Sequence, residues 1–311
     1  MTINSTLYLV TSQSVTLSIC SFLVLLVGLS GNLIVLYGSL HHKALKLDQV
    51  LLILIHNMAV ADILYLLVYV FPSWITFSAG QWVLGDVWCH VQAEGVYLPG
   101  NVISIFTLAI TFHRLLLFSF PTRTVTPRIA AFFSGAVWTT ATVTVTAFLA
   151  YYGTEAKFDP HIGACVSSPE WNVKGAVGLV TTIVTIFVPL ILITVINLII
   201  CIIAFKRSTK KRECMKGITL TCLISGAFIV SWAPYIAMCL ADQTSVGQEL
   251  MFFAFHCVSI NTFTNPILYC LTNPRFRKFV SNGVREKIGL LCRLNFTSQE
   301  SDAVNTETCG I

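Results

Sequence analysis

The sequence predicts an all-α membrane protein: a seven-transmembrane helix bundle with a short amphipathic eighth helix on the membrane surface. Composition is the first observation that predicts it, because the 311 residues are 55% hydrophobic and 11% charged, where soluble domains carry about 25% charge. A soluble core could not hide that much apolar surface. Repetition is the second: apolar stretches long enough to cross hydrocarbon, about 20 residues each, recur near 15–40, 49–72, 86–118, 127–150, 174–205, 214–240 and 248–271. The third is the placing of positive charge. Seven crossings put the termini on opposite sides, and 17 of the 19 Lys and Arg fall on one of them, leaving only Lys157 and Lys174 on the other. The basic side faces the cytoplasm, so the N-terminus is expected outside. The resulting organisation is an outer tail over 1–14, a seven-helix domain over 15–271, and a cytoplasmic amphipathic helix and disordered tail over 272–311. A net charge of +5 suits inner-leaflet lipids and an intracellular protein partner rather than nucleic acid. The first fourteen residues contain no Lys or Arg and the first apolar run has full spanning length, so no cleavable signal peptide is expected and segment one acts as the anchor.

Taken in order, the segments carry a small set of polar or helix-bending residues. Segment one holds Asn32 after Gly31 in aliphatic surroundings; an amide at that depth bonds its own helix or a neighbouring one. Segment two holds one core carboxylate, Asp62, which must be neutral, solvated in a cavity, or paired with polar groups or a cation. Trp82 and Trp88 flank the next outer loop, as interfacial aromatics do. Segment three opens at Cys89, contains Pro99-Gly100, which should bend or loosen it, and ends in Thr111-Phe112-His113-Arg114-Leu115. An Arg at such a helix end snorkels to the interface. Segment four holds Trp138, and the outer loop after it carries Cys165 together with charges such as Lys157 and Asp159 that are expected to face solvent.

Segment five contains Pro189 and Asn197, and a basic loop, Lys206-Arg207-Ser208-Thr209-Lys210-Lys211-Arg212, leads into segment six. There Phe228 precedes Ser231-Trp232-Ala233-Pro234-Tyr235; the proline bends the helix and places a large aromatic where a cavity would narrow. Segment seven carries Asn261-Thr262-Phe263-Thr264-Asn265-Pro266-Ile267-Leu268-Tyr269. Pro266 lacks an amide proton and frees a carbonyl one turn earlier, which a neighbouring helix, a side chain or water must satisfy. Arg275-Phe276-Arg277-Lys278-Phe279 then reads as a basic amphipathic helix on the membrane surface. Beyond Arg293 the tail is rich in Ser and Thr.

As an ordered set, Asn32, Asp62, Cys89, Arg114, Trp138, Cys165, Pro189, Trp232-x-Pro234 and Asn265-Pro266-x-x-Tyr269 resemble the rhodopsin-family (class A) G-protein-coupled receptors over nearly the whole chain. The resemblance implies that an outer ligand favours a conformation in which helix six moves out and a heterotrimeric G protein docks. It assigns an activation switch to Asp62, Arg114, Trp232, Pro234, Asn265, Pro266 and Tyr269, and G-protein contact to Arg114, Lys210, Lys211 and Arg212. Asn32 would tie helix one to helices two and seven, and Trp138 would pack on helix two. A disulfide between Cys89 and Cys165, favoured over free thiols on the oxidising side, would pin the long loop over the bundle mouth. Sodium would sit at Asp62, Asn261 and Asn265, or a protonated Asp62 would sit in a water-filled network; Ile103 stands where the family often has Ser. Asn4 lies in a glycosylation sequon, Cys292 is a palmitoylation candidate, and the Ser/Thr tail suits receptor kinases and arrestin. Three departures stand out: His113 replaces the acid before Arg114, Leu115 replaces a Tyr, and Asn197 replaces another Tyr. With the restraint on Arg114 weakened, raised basal activity is expected.

The ligand is less defined. No Lys lies between Leu250 and Leu271, and Ser259 occupies the place of the retinal Schiff-base lysine, so a photoreceptor is not expected. Val96 stands where amine receptors carry Asp, and Glu94 lies two residues earlier, about 200° around the helix, so an amine is not expected either. By resemblance the pocket is lined by Tyr97, Gly100, Asn101, Thr181, Trp232, Tyr235, Phe255 and Ser259, which suits a neutral small molecule, a lipid or a peptide end. Melatonin receptors share the missing acid, though they usually have Ala where this chain has Pro266. No catalytic constellation is present, so an enzyme is not expected. The competing class is a seven-helix transporter or channel with Asp62, Glu94, Asn261 and Asn265 along an ion path; no inverted repeat supports it in the sequence.

Overall fold

A computed structural model describes residues 12–40, 48–120, 125–152, 156–160, 162–167, 180, 183–206, 212–240, 248–272 and 276–282. Seven long helices follow one another: α1 (Ser12–Leu40), α2 (Gln49–Ala79), α3 (Gly85–Ser119), α4 (Pro127–Tyr152), α5 (a π turn Ile183–Phe187 continuing as Val188–Lys206), α6 (Arg212–Leu240) and α7 (Gln248–Thr272). A short helix, α8, covers 276–282. Between α4 and α5 lies an antiparallel hairpin, β1 (Ala156–Asp159) with β2 (Ala164–Ser167), in which Phe158 faces Cys165 across the ladder.

The helices hide one face and leave large apolar side chains on the other. Leu66, Val102, Phe106, Ile193 and Phe228 are fully buried, whereas Phe132 is 81% exposed and Leu33, Ile191 and Val230 also point outward. An exterior of that kind is stable only in hydrocarbon. Among the described residues five helices are long and apolar enough to cross a membrane, and α6 carries a shorter apolar run, Cys222–Met238. The final helix is amphipathic as expected: Phe276, Phe279 and Val280 turn to the core while Arg277 and Lys278 are exposed.

Prolines account for the irregular turns, because a proline ring excludes the carbonyl four residues back and supplies no N–H. In α2 the backbone widens into a π turn over Leu66–Val70 just before Pro72, and Phe71 N–H donates to Leu66 O, five residues back. In α5 the π turn Ile183–Phe187 ends just ahead of Pro189. The expected loosening at Pro99-Gly100 occurs one turn earlier, where Val96 separates the helical stretches Gly85–Gly95 and Tyr97–Ser119. Gly95 is the residue whose carbonyl Pro99 excludes.

Candidate functional site

At one end of the bundle the hairpin is locked over the helices. Cys89 of α3 and Cys165 of β2 are joined by the expected disulfide. One turn after Cys89, the buried Gln92 spans three elements: its Oε1 accepts the Cys165 N–H at 2.7 Å, and its Nε2 donates to Tyr69 O at 3.1 Å and Ser73 Oγ at 3.0 Å. The Tyr69 carbonyl lies in the π turn, where the regular helical bond pattern is broken. The hairpin tip inserts Ile162, which is fully buried, and its carbonyl accepts from His256 Nε2 of α7 at 2.8 Å. Three rings, Phe252, Phe77 and Tyr69, surround the His256 imidazole with centroids at 4.4, 5.5 and 5.7 Å. Gly163 has φ +70°, and a Cβ there would come within 2.3 Å of the Phe77 ring; only glycine fits that turn against that ring.

Beneath the hairpin is a cavity of about 70 Å³. Of the residues expected to line it, Tyr97, Gly100, Trp232, Tyr235 and Phe255 do so. Asn101 and Ser259 are buried but outside the lining: they follow Gly100 and Val258, which face the cavity, and one residue turns a helix by 100°. Thr181 lies outside the described residues. The lining residues missed from sequence include Tyr65 and Tyr69 of α2, Ile186 of α5 and Val166 of the hairpin. Two tyrosines four apart in an apolar run were a usable signal; the hairpin contribution had none. Trp232 forms the floor, with Phe228 below it at 5.8 Å and Tyr235 edge-on at 5.7 Å. Gly100 leaves room above the indole: a Cβ there would meet Trp232 at an ordinary van der Waals distance of 3.8 Å.

A polar layer crosses the middle of the bundle. Asn265 Nδ2 donates to Asp62 Oδ2 at 3.2 Å. Asn32 Nδ2 donates to Gly28 O at 2.9 Å and to Thr262 O at 2.8 Å. Thr262 is four residues before Pro266, so its carbonyl is the one the proline frees, and Asn32 is the group that satisfies it. Close approach makes this reach possible: a Cβ at Gly31 would lie 2.8 Å from Pro266 Cβ. Trp138 Nε1 donates to Asn57 Oδ1 at 2.9 Å, fixing α4 on α2. Asp62 Oδ1, Ser104 Oγ, Asn261 Oδ1 and Asn265 Oδ1 are buried without a hydrogen-bond partner among the described residues. Such a set of oxygens fits a hard cation such as sodium, whose ligands would come from Asp62, Asn261 and Asn265; Ile103 contributes none.

The opposite end is organised around Arg114. One turn before it, Thr111 Oγ1 meets Ser225 Oγ of α6 at 3.3 Å. Tyr269 is buried with its ring edge-on to Phe276 at 6.3 Å, and lies within electrostatic reach of Arg114. Asn197 turns its amide back to Ile193 O at 2.8 Å. Cys201 of α5 and Cys222 of α6 approach to 3.8 Å between sulfurs. His113 is buried, and its Nε2 contacts Asp48 Oδ2 at 2.6 Å. Asp48 also caps α2, accepting the Leu51 N–H at 3.4 Å. The acid missing next to Arg114 in sequence is therefore matched by one 65 residues away. Of the remaining expected residues, Arg212 opens α6, while Lys210, Lys211, Asn4, Cys292 and the Ser/Thr tail lie outside the described residues.

The family description "7 transmembrane receptor (rhodopsin family)" matches residues 31–269. A C-C chemokine receptor type 1 from Homo sapiens is 27% identical over 284 residues, covering 83% of this chain and 76% of the relative. A neuropeptide Y receptor type 2 from Mus musculus is 27% identical over 291 residues, covering 84% and 74%. In fold, the chain is similar to the crystal structure of squid rhodopsin with a TM-score of 0.73 at 17% identity, covering 89% and 87% of the two chains.

Proposed function

The chain belongs to the rhodopsin family of seven-transmembrane receptors and is a multi-pass, G-protein-coupled receptor rather than an enzyme; from that premise we propose that it responds to a peptide whose uncharged end enters the cavity under the hairpin. The observation that carries this reading is the cavity itself. Among the described residues no charged side chain lines it, and its volume of about 70 Å³ is well below the roughly 300–1,000 Å³ of a small-molecule pocket. Only an end group fits, and the rest of the ligand lies above Val166 and Tyr97. Relatives named for a chemokine and for neuropeptide Y support a ligand of that size. Amine recognition is disfavoured because Val96 lines the cavity without a counter-charge, and α7 contains no lysine for a retinal Schiff base.

The hairpin end faces outside and the Arg114 end faces the cytoplasm, as the concentration of Lys and Arg supports. Arg114 and the basic residues Lys210, Lys211 and Arg212 meet the G protein, with Asp62, Trp232, Pro234, Asn265, Pro266 and Tyr269 relaying the ligand's differential affinity for two conformations. Sodium at Asp62, Asn261 and Asn265 stabilises the resting state, and the Ser/Thr tail recruits receptor kinases and then arrestin.

The test is dissociation of Gα from Gβγ, measured across the Gα classes in cells expressing the full chain, with and without a panel of amidated peptides. A response that Arg114→Ala abolishes at equal surface expression, and that Tyr235→Ala weakens, supports the reading. A response to small cationic amines with none to any peptide contradicts it.

A further inference from the structure

We propose that His113 and Asp48 form the clasp that holds the Arg114 end of the bundle closed, with Asp48 serving as the positioning residue for Arg114. The inference rests on the receptor reading above. Position 113 is where the family resemblance expects an acid, and a histidine there brings no negative charge to its neighbour. The geometry supplies the charge from elsewhere. His113 is 4% exposed, so a ring N–H there must be paired, and the 2.6 Å contact from Nε2 to Asp48 Oδ2 is its hydrogen bond to a side chain among the described residues. Its Nδ1 is buried without a partner among the described residues, so of those residues Asp48 is the one whose side chain orients the ring.

Asp48 is in turn fixed in place. It is the N-cap of α2, with extended backbone at φ −61°, ψ 134°, and its carboxylate accepts the Leu51 N–H. Capping and the His113 bond together hold the carboxylate on the α3 side of α2, against the residue that directly precedes Arg114. No carboxylate of the described residues is close enough to Arg114 for a direct ion pair. Among the described residues Asp48 therefore acts on the arginine through its charge and through His113, the arginine's chain neighbour, rather than through an ion pair. When α6 parts from α3, the Thr111 to Ser225 contact breaks and Arg114 can swing away from Asp48 and Tyr269 toward the opening. Its cost of leaving is set by the Asp48 charge, whose place is set by His113.

The experiment is agonist-independent nucleotide exchange by purified heterotrimeric G protein on the full chain in lipid nanodiscs. Asp48→Ser retains helix capping but is too short to reach His113; His113→Leu removes the other partner. Each is expected to raise exchange about tenfold, the scale of one hydrogen bond to a charged group, and the double variant no further than either single. His113→Asp in the Asp48→Ser background is expected to return exchange toward the starting level, which a merely structural role for Asp48 would not produce. Exchange unchanged in both single variants, or additive effects in the double, overturns the clasp while leaving the receptor reading intact if Arg114→Ala still abolishes exchange. Exchange equal to receptor-free nanodiscs in the parent and in every variant overturns both.

Discussion

The two ends of the bundle are held together in different ways. At the hairpin end a covalent bond between Cys89 and Cys165 is reinforced by Gln92 bridging three elements, by His256 on the Ile162 carbonyl, and by Gly163 seated against Phe77. Among the described residues at the Arg114 end the links between helices are single non-covalent contacts: Ser39 with His56, Thr111 with Ser225, His113 with Asp48, and two thiols at 3.8 Å that form no disulfide. A structure fastened in this way can change shape cheaply at one end only. The hairpin end can sense a ligand while barely moving, and the Arg114 end can open without breaking anything covalent.

Substitutions should separate the ends by which property they change. The largest effect is expected from Cys89→Ala, because opening a loop of 76 residues removes a constraint worth about 4 kcal/mol on the chain-entropy account; the thermal midpoint of the purified receptor should fall further than for any other change. Gly163→Val forces a branched residue into φ +70° and against Phe77, and should cost about 3 kcal/mol, read as the same midpoint and as faster proteolysis of the hairpin. Gln92→Leu leaves the Cys165 N–H unpaired in a buried setting, a loss of about 2 kcal/mol. His256→Phe keeps an aromatic ring among Phe252, Phe77 and Tyr69 and forfeits one hydrogen bond, about 1 kcal/mol. The smallest change in midpoint, about 0.5 kcal/mol, should come from Thr111→Val, yet it should raise basal signalling where the four hairpin-end changes do not. A Thr111→Val receptor that unfolds as early as Gln92→Leu, with unaltered signalling, would break the contrast.

Much of the fold was legible because membrane insertion writes itself into composition. Seven apolar runs and a one-sided distribution of Lys and Arg need no tertiary knowledge. The amphipathic last helix was visible for the same reason, from Phe276 and Phe279 beside Arg277 and Lys278. Pro266 announced a freed carbonyl, but that Asn32 would satisfy it could be seen only once Gly31 had let α1 approach α7. The cavity was half legible. Trp232 and Tyr235 follow from their motif, whereas Asn101 and Ser259 are neighbours of lining residues turned to another face, and the break at Val96 shifts the phase of α3 just above the cavity. The hairpin was invisible, since Lys157 and Asp159 made its loop read as solvated. Asp48 was hidden most completely: its partner is 65 residues away, and as a helix cap it already had a sufficient local reason to be there.

The most direct test of the contrast is a pair of distances measured by electron paramagnetic resonance on the full chain in nanodiscs. One pair of spin labels sits at Ile129 and Leu223, toward the Arg114 end, and the other at Val87 and Phe253, toward the hairpin end; all four side chains are exposed. On adding nucleotide-free G protein, the first distance is predicted to lengthen and the second to stay as it was. A change in the second distance as large as in the first would contradict the account, because it would mean that the disulfide, Gln92 and His256 do not hold their end of the bundle fixed.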